Sequence, residues 1–292
     1  MALNPLAEVF GFPITNFDKD ANRTRQRRLC PYNNRVPSCT KDKANDPLGV
    51  CSIFSDDDVV ITCPVRFRQN WTIADNAADF FFTQNTTWTS LTEISLEDAT
   101  GKTAGHIDLV LVSYDARGKV IDFGSVEIQA VYISGNIRHP FEYYMEKPSK
   151  RSNFDWHTKP NYPKPDFLSS SRKRLLPQLL YKGGILHAWN KKQAVVLQKS
   201  FFETLPEIPV VDSKAAEIGW FLYDLKKDQR KDVYNLEISK TVYTQFHPTM
   251  QKISTAPAGR IEDFIETLQQ KLDNKLEGNP PETHTLGDIV LT

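Results

Sequence analysis

Between residues 105 and 131 the chain reads GHIDLVLVSYDARGKVIDFGSVEIQAV. Two apolar runs flank a polar break at DARG, the pattern of two strands joined by a turn. Asp108, Glu127 and Gln129 interrupt those runs with polar groups. In NWTIADNAADFFFTQ the period changes: Ile73, Ala77, Phe80 and Phe81 fall at helical intervals and predict a helix from about 73 to 83. WTSLTEISL alternates loosely and is rich in Ser and Thr, predicting a strand that carries Glu93, and TGKTAG reads as a turn. SSSRKRLLPQLLYKGGILHAWNKK sets Leu175, Leu179, Leu180 and Tyr181 at helical spacing. Ser171 is its expected cap, and Pro177 falls in the first turns, where proline is tolerated best. QAVVLQKSFF predicts a short strand, and Ile261, Phe264, Ile265, Leu268 and Leu272 share one face of a later helix. Helix, three strands, helix and strand, with additions at both ends, predict an α/β core.

Bulk properties narrow the class. A chain of 292 residues with 40% hydrophobic content can bury one large core or two modest ones. No apolar stretch approaches the ~20 residues of a membrane helix, and no signal peptide is evident, so a soluble, cytoplasmic protein is expected. Net charge is zero, with 36 Lys and Arg against 36 Asp and Glu, which argues weakly against a nucleic-acid binder. The charges are segregated, however. Residues 138–192 hold 12 basic and 4 acidic side chains, residues 21–43 hold 7 and 1, and residues 55–100 hold 2 and 8. Such blocks are either solvated faces or a local field that the neutral total conceals.

Cys30, Cys39, Cys51 and Cys63, the only four cysteines, crowd one end of the chain. None of their spacings is the C-x₂-C of a common zinc finger. Two disulfides would suit a secreted protein, and buried free thiols are a second possibility. A metal fits the composition of this polar, proline-containing segment, which has little apolar surface to offset its ordering entropy. Four thiolates around zinc or iron would leave no open position, making the site structural. The expected division is a metal-stapled region at 1–70 and an α/β domain at 71–292.

On the predicted hairpin, side chains alternate, so Glu127 and Gln129 share one face while Val126, Ile128 and Ala130 face the other way. Centring the turn on Ala116 and Arg117 sets residue 106 opposite 127 and Asp108 diagonal to Glu127 on the same face. A bulge at Gly118 would shift the register by one and move Asp108 to the other face. Two carboxylates ~5 Å apart repel by ~3 kcal/mol at an effective dielectric near 20. Either a divalent cation lies between them, or they pair with Arg or Lys, or they point to solvent at the sheet's edge.

GHID…VEIQ resembles the PD-(D/E)XK nuclease motif with its lysine replaced by Gln129. More specifically, the chain resembles the NotI-type restriction endonucleases through its cysteine-bearing region, GHIDLVLV, IDFGSVEIQAVYISGN and SSSRKRLLPQLLYKGGILHAW. The resemblance implies a PD-(D/E)XK core, a mixed central sheet flanked by helices, and a type II enzyme. That enzyme would use Mg²⁺ to cut both strands of double-stranded DNA at a GC-rich palindrome. It implies that Asp108 and Glu127 hold Mg²⁺, that Gln129 stands at the lysine position, and that Glu93 is an auxiliary acid. It also implies one iron, with zinc as the alternative, on Cys30, Cys39, Cys51 and Cys63. A homodimer, a cognate DNA methyltransferase as genetic partner and a prokaryotic cytoplasm follow. Arg172, Lys173 and Arg174, at an expected helix start, suit phosphate contacts, and Arg138, His139, Lys159 and Asn161 are candidates for base edges. A repair or nicking nuclease of the same fold and a non-catalytic, metal-stapled DNA-binding module are the competing readings.

Overall fold

In the computed structural model, which describes residues 3–33, 36–43, 45–56 and 58–277, residues 1–254 and 255–292 form two units. Residues 278–292, the end of the expected second domain, lie outside the described ones. The first unit opens with β1 (Leu6–Val9), β2 (Phe12–Pro13), α1 (Lys19–Gln26), β3 (Asp42–Lys43) and β4 (Asp46–Pro47). β5 (Val50–Ser55), β6 (Asp58–Ile61), a 3₁₀ segment (Pro64–Trp71) and α2 (Thr72–Phe81) follow. Antiparallel pairing in the order β2-β1-β5-β6 makes a four-stranded sheet.

Next come β7 (Trp88–Glu97), β8 (Thr103–Tyr114), β9 (Val120–Ile128), β10 (Tyr132–Ser134), α3 (Arg138–Glu146) and α4 (Pro148–Arg151). The unit continues through β11 (Lys164–Asp166), α5 (Phe167–Ser170), α6 (Leu176–Ala188), β12 (Gln193–Gln198) and α7 (Lys199–Phe202). It closes with β13 (Ile218–Asp228), β14 (Val233–Thr244) and α8 (Phe246–Ser254). Six of these strands form the central sheet, in the order β14-β13-β12-β9-β8-β7. β12 runs parallel to β9 and β13, and the other pairs are antiparallel, so the sheet is mixed. The expected α/β core with a mixed sheet and flanking helices is present. The β13–β14 hairpin was not anticipated from the sequence. Its inner strand alternates Trp220 and Leu222 into one apolar cluster with Phe221 and Tyr223 into another, so it reads as an unbroken apolar run without period two.

One cluster joins the two sheets. Leu6, Val9, Phe10 and Ile53 are buried together with Leu179, Val195, Leu197 and Trp220. A fully buried ion pair reinforces the join: Arg66 Nε lies 3.0 Å from Glu8 Oε2, and Arg66 Nη2 donates to Tyr234 O at 2.8 Å. On the opposite face of the central sheet, Ile73, Ala77 and Phe80 of α2 pack against Val126, Ile128 and Phe221.

The basic helix departs from expectation. α5, a π-helical segment (Ser171–Leu175) and α6 run on without a break, and Asp166, not Ser171, caps the start by accepting from Ser169 N at 2.8 Å. Ser171 Oγ instead donates to Leu168 O at 3.1 Å, a bond inside the helix. Pro177 lacks the N–H that an α-turn would need, and Leu176 N reaches back five residues to Ser171 O. Arg172, Lys173 and Arg174 therefore lie in mid-helix on the wide turn, not at a helix start. In the second unit, α9 (Ile261–Glu277) carries the predicted apolar stripe. Among the described residues no helix is long and apolar enough to cross a membrane.

Candidate active site

The β8–β9 turn determines whether the carboxylates meet. Gly118 has φ +78° and donates to Asp115 O at 2.9 Å, so the one-residue bulge at the turn does form. A second shift separates the pairs Ser113↔Asp122 and Tyr114↔Val120, leaving Ile121 without an opposite number. Two single-residue shifts cancel in parity. Carried one step past Leu109↔Val126, the register sets Asp108 directly opposite Glu127 instead of diagonal to it. On the other side, Thr92↔Leu109 and Ile94↔Ile107 bracket Glu93 and Asp108. Glu93 has left-handed backbone (φ +56°), uncommon for a residue other than glycine. Three acids thus stand side by side on three adjacent strands.

Their surroundings differ. Asp108 Oδ2 accepts the backbone N–H of Ile128 at 2.9 Å. Burial pushes its carboxyl above the ordinary range, opposed by that hydrogen bond and by the fields of Lys182 and Arg68. Glu127 is 1% exposed; its Oε2 accepts from Lys182 Nζ at 2.6 Å, while its Oε1 is buried with no partner. Burial first, then the Asp108 charge, push Glu127 up to about 7, with Lys182 acting in the opposite direction. Gln129 is buried and donates from Nε2 to Ala130 O at 2.6 Å. Lys182 escaped the sequence reading. The available signal was a lysine placed beside Leu179, Gly183 and Leu186 on the buried face of an amphipathic helix.

Asp108 and Gln129 lie on the wall of an open cleft, together with Lys41, Asp42, Arg138 and Arg174. Arg138 is engaged by Asp42 (2.5 Å) and Asp46 (2.7 Å), which tie the β3–β4 hairpin to α3. Arg174 stacks over the Tyr132 ring and hydrogen-bonds its hydroxyl, while Arg172 and Lys173 are exposed. His139, Lys159 and Asn161 converge on a smaller pocket walled by Trp156 and Tyr162.

The family model described as restriction endonuclease NotI matches residues 8–236. The chain belongs to the NotI restriction endonuclease family. It is accordingly a site-specific deoxyribonuclease, a type II restriction endonuclease whose partner is DNA. No curated protein matches the chain. The NotI match runs from Glu8 on β1 to Leu236 on β14 and takes in every candidate site residue.

The match also covers the cysteines. All four thiols are free; Cys39, Cys51 and Cys63 are buried and Cys30 is half-buried. The β5–β6 ladder supplies Cys51 and leads into Cys63, while Cys30 and Cys39 flank a loop closed by Cys30 N to Pro37 O and Cys39 N to Arg28 O. Cys63 and Cys39 act on the charge of Cys30, and Cys63 and Cys30 act on that of Cys51, so the four are neighbours. Burial, reinforced by this mutual repulsion, pushes Cys30 up to about 11 and raises Cys39 and Cys51. Among the described residues no group of three or more His, Cys, Asp or Glu is drawn together closely enough to hold an ion as it stands.

Proposed function

We propose that this NotI-family endonuclease has a PD-(D/E)XK core and uses Mg²⁺ at Asp108 and Glu127 to cut both DNA strands at a GC-rich palindrome. The observation that carries this is the buried, partnerless Oε1 of Glu127 in a row of three acids beside an open cleft. A carboxylate oxygen buried without a donor is costly unless a cation completes it. When bound, Mg²⁺ would polarise the scissile phosphate and lower the pKa of a coordinated water. Asp108, anchored through Oδ2 by the Ile128 N–H, would hold the ion with its other oxygen. Gln129 orients water through hydrogen bonds, since a neutral amide brings no charge. Glu93, on the sheet's edge strand, would hold a second ion or its water.

Arg172, Lys173 and Arg174 suit backbone phosphates, and His139, Lys159 and Asn161 suit base edges as one pocket. Arg138 would reach DNA after exchanging Asp42 and Asp46 for phosphate or guanine, because both offer its guanidinium similar acceptors. The four thiols fit one iron, or zinc, by donor chemistry. Cutting both strands of a palindrome calls for a two-fold homodimer, for which Phe264, Ile265 and Leu268 of α9 offer apolar surface. Host DNA in the prokaryotic cytoplasm would require a cognate methyltransferase.

Digesting a sequenced bacterial genome with the purified protein and Mg²⁺, then sequencing the ends, tests this reading. Discrete fragments sharing one GC-rich palindrome are expected. A smear, or identical cutting in EDTA, would contradict it. The Glu127 carboxyl also sets an expected pH dependence. In the metal-free protein it holds a proton below about pH 7, and a cation must displace that proton. Apparent Mg²⁺ affinity should fall about tenfold per pH unit below 7 and level off above it. The Mg²⁺ concentration for half-maximal cleavage, measured from pH 6 to 8.5, provides the check, and a flat profile counts against a proton on Glu127.

A further inference from the structure

Lys182 is 4% exposed and lies 55 residues along the chain from Glu127, yet its Nζ is 2.6 Å from Glu127 Oε2. The same Nζ donates to His106 O at 2.8 Å, so one ammonium bridges β8 and β9 at the level of the acids. The approach is built into the helix. Beside Lys182, Gly183 brings α6 so close to β12 that a Cβ there would meet Gln193 Oε1 at 2.9 Å. The lysine stem passes Gly105, which has φ +113° and no side chain to obstruct it. Lys182 thus comes from α6, a different element from the strands that carry Asp108, Glu127 and Gln129, and its field also reaches Asp108.

We infer that Lys182 is a positioning residue of the cleavage site, holding one oxygen of Glu127 so that the other is presented to the cation. This rests on the assignment of Asp108 and Glu127 as the Mg²⁺ ligands. Stability alone does not account for the pair. A buried ion pair contributes little over an apolar replacement, whereas removing one partner leaves a costly lone charge. Here the lysine takes one oxygen and leaves Oε1 of the same carboxylate unpartnered, so half of the group stays reserved for another cation. Position 129 carries an amide and no charge; a fixed positive charge reaches the acids from the helix side instead.

The test compares the wild-type full chain with Lys182→Met, Glu127→Gln and the double variant. Two readouts apply: Mg²⁺ titration of plasmid cleavage, and Ca²⁺ binding by calorimetry without DNA. Lys182→Met should raise the Mg²⁺ concentration for half-maximal cleavage at least tenfold and weaken Ca²⁺ binding to match, with plasmid binding in EDTA unchanged. High Mg²⁺ should restore most of the rate, which a merely structural lysine would not allow. Wild-type Ca²⁺ affinity in Lys182→Met overturns the inference. If Lys182→Met does not fold, the double variant decides, because it buries no lone carboxylate. A lysine that acts through Glu127 leaves the double variant with the Ca²⁺ affinity of Glu127→Gln. Tighter or weaker binding by more than threefold overturns the inference. Failure of the ligand assignment looks different: Asp108 and Glu127 variants would then keep wild-type Ca²⁺ binding and cleavage.

Discussion

Asp108→Ala and Glu127→Ala should each lose DNA cleavage by at least about 10³-fold, equivalent to about 4 kcal/mol or more of transition-state stabilisation. DNA binding measured without divalent metal should survive. Each substitution removes a carboxylate from the acidic row and leaves the basic surfaces at Arg172, Lys173 and Lys159 intact. Removing negative charge near phosphate favours association, so binding in EDTA should hold steady or tighten. The two variants differ in stability. Glu127→Ala leaves the buried Lys182 ammonium without its counter-charge and with only His106 O as acceptor, whereas Asp108→Ala releases only one backbone N–H, that of Ile128. A thermal melt should therefore rank Glu127→Ala below Asp108→Ala. Mg²⁺-dependent cleavage at full rate in either variant would remove these residues from the chemistry.

Replacing any one of the four cysteines should lower metal content and stability together. Cys51→Ser is the sharpest case, because Cys51 is buried on β5 next to the Leu6 and Ile53 cluster. Structural metal sites contribute on the order of 10 kcal/mol in small peptides, and a serine hydroxyl is a poor ligand for iron or zinc. The folded unit has a core of its own, so a loss of about 4 kcal/mol, or roughly 10 °C in Tm, is expected rather than complete unfolding. Elemental analysis of protein purified without chelators, paired with a melt, provides the measurement. A metal-free preparation that melts and cuts like wild type would refute the metal.

The elements with strong periodicity were legible. The helix predicted at 73–83 occupies Thr72–Phe81, and the strands bearing Glu93, Asp108 and Glu127 lie where alternation put them. What escaped depends on geometry that local pattern does not encode. The hairpin register turned on two single-residue shifts, one signalled by Gly118 and the other, at Ile121, carrying no turn residue to mark it. Ser171 was misplaced because a π turn ahead of Pro177 lets one helix run through a segment that reads as a fresh start. Lys182 was invisible as a partner because a tertiary contact between β9 and α6 leaves no trace in the spacing of either. Arg138 is a candidate for base edges, and nothing in the sequence signals that its guanidinium is held by Asp42 and Asp46, nearly a hundred residues earlier.

Glu93, Asp108 and Glu127 occupy neighbouring strands, so their separation is a property of the backbone: strands lie about 4.8 Å apart whatever their side chains. The residues around the His139 and Trp156 pocket, by contrast, sit on helices and loops between β9 and β12. Substitutions or insertions in that stretch can reshape the groove without altering the spacing of the acids. With the roles proposed above, such a protein could drift in what it reads while keeping how it cuts, because the ruler and the reading head would be separate parts of the chain.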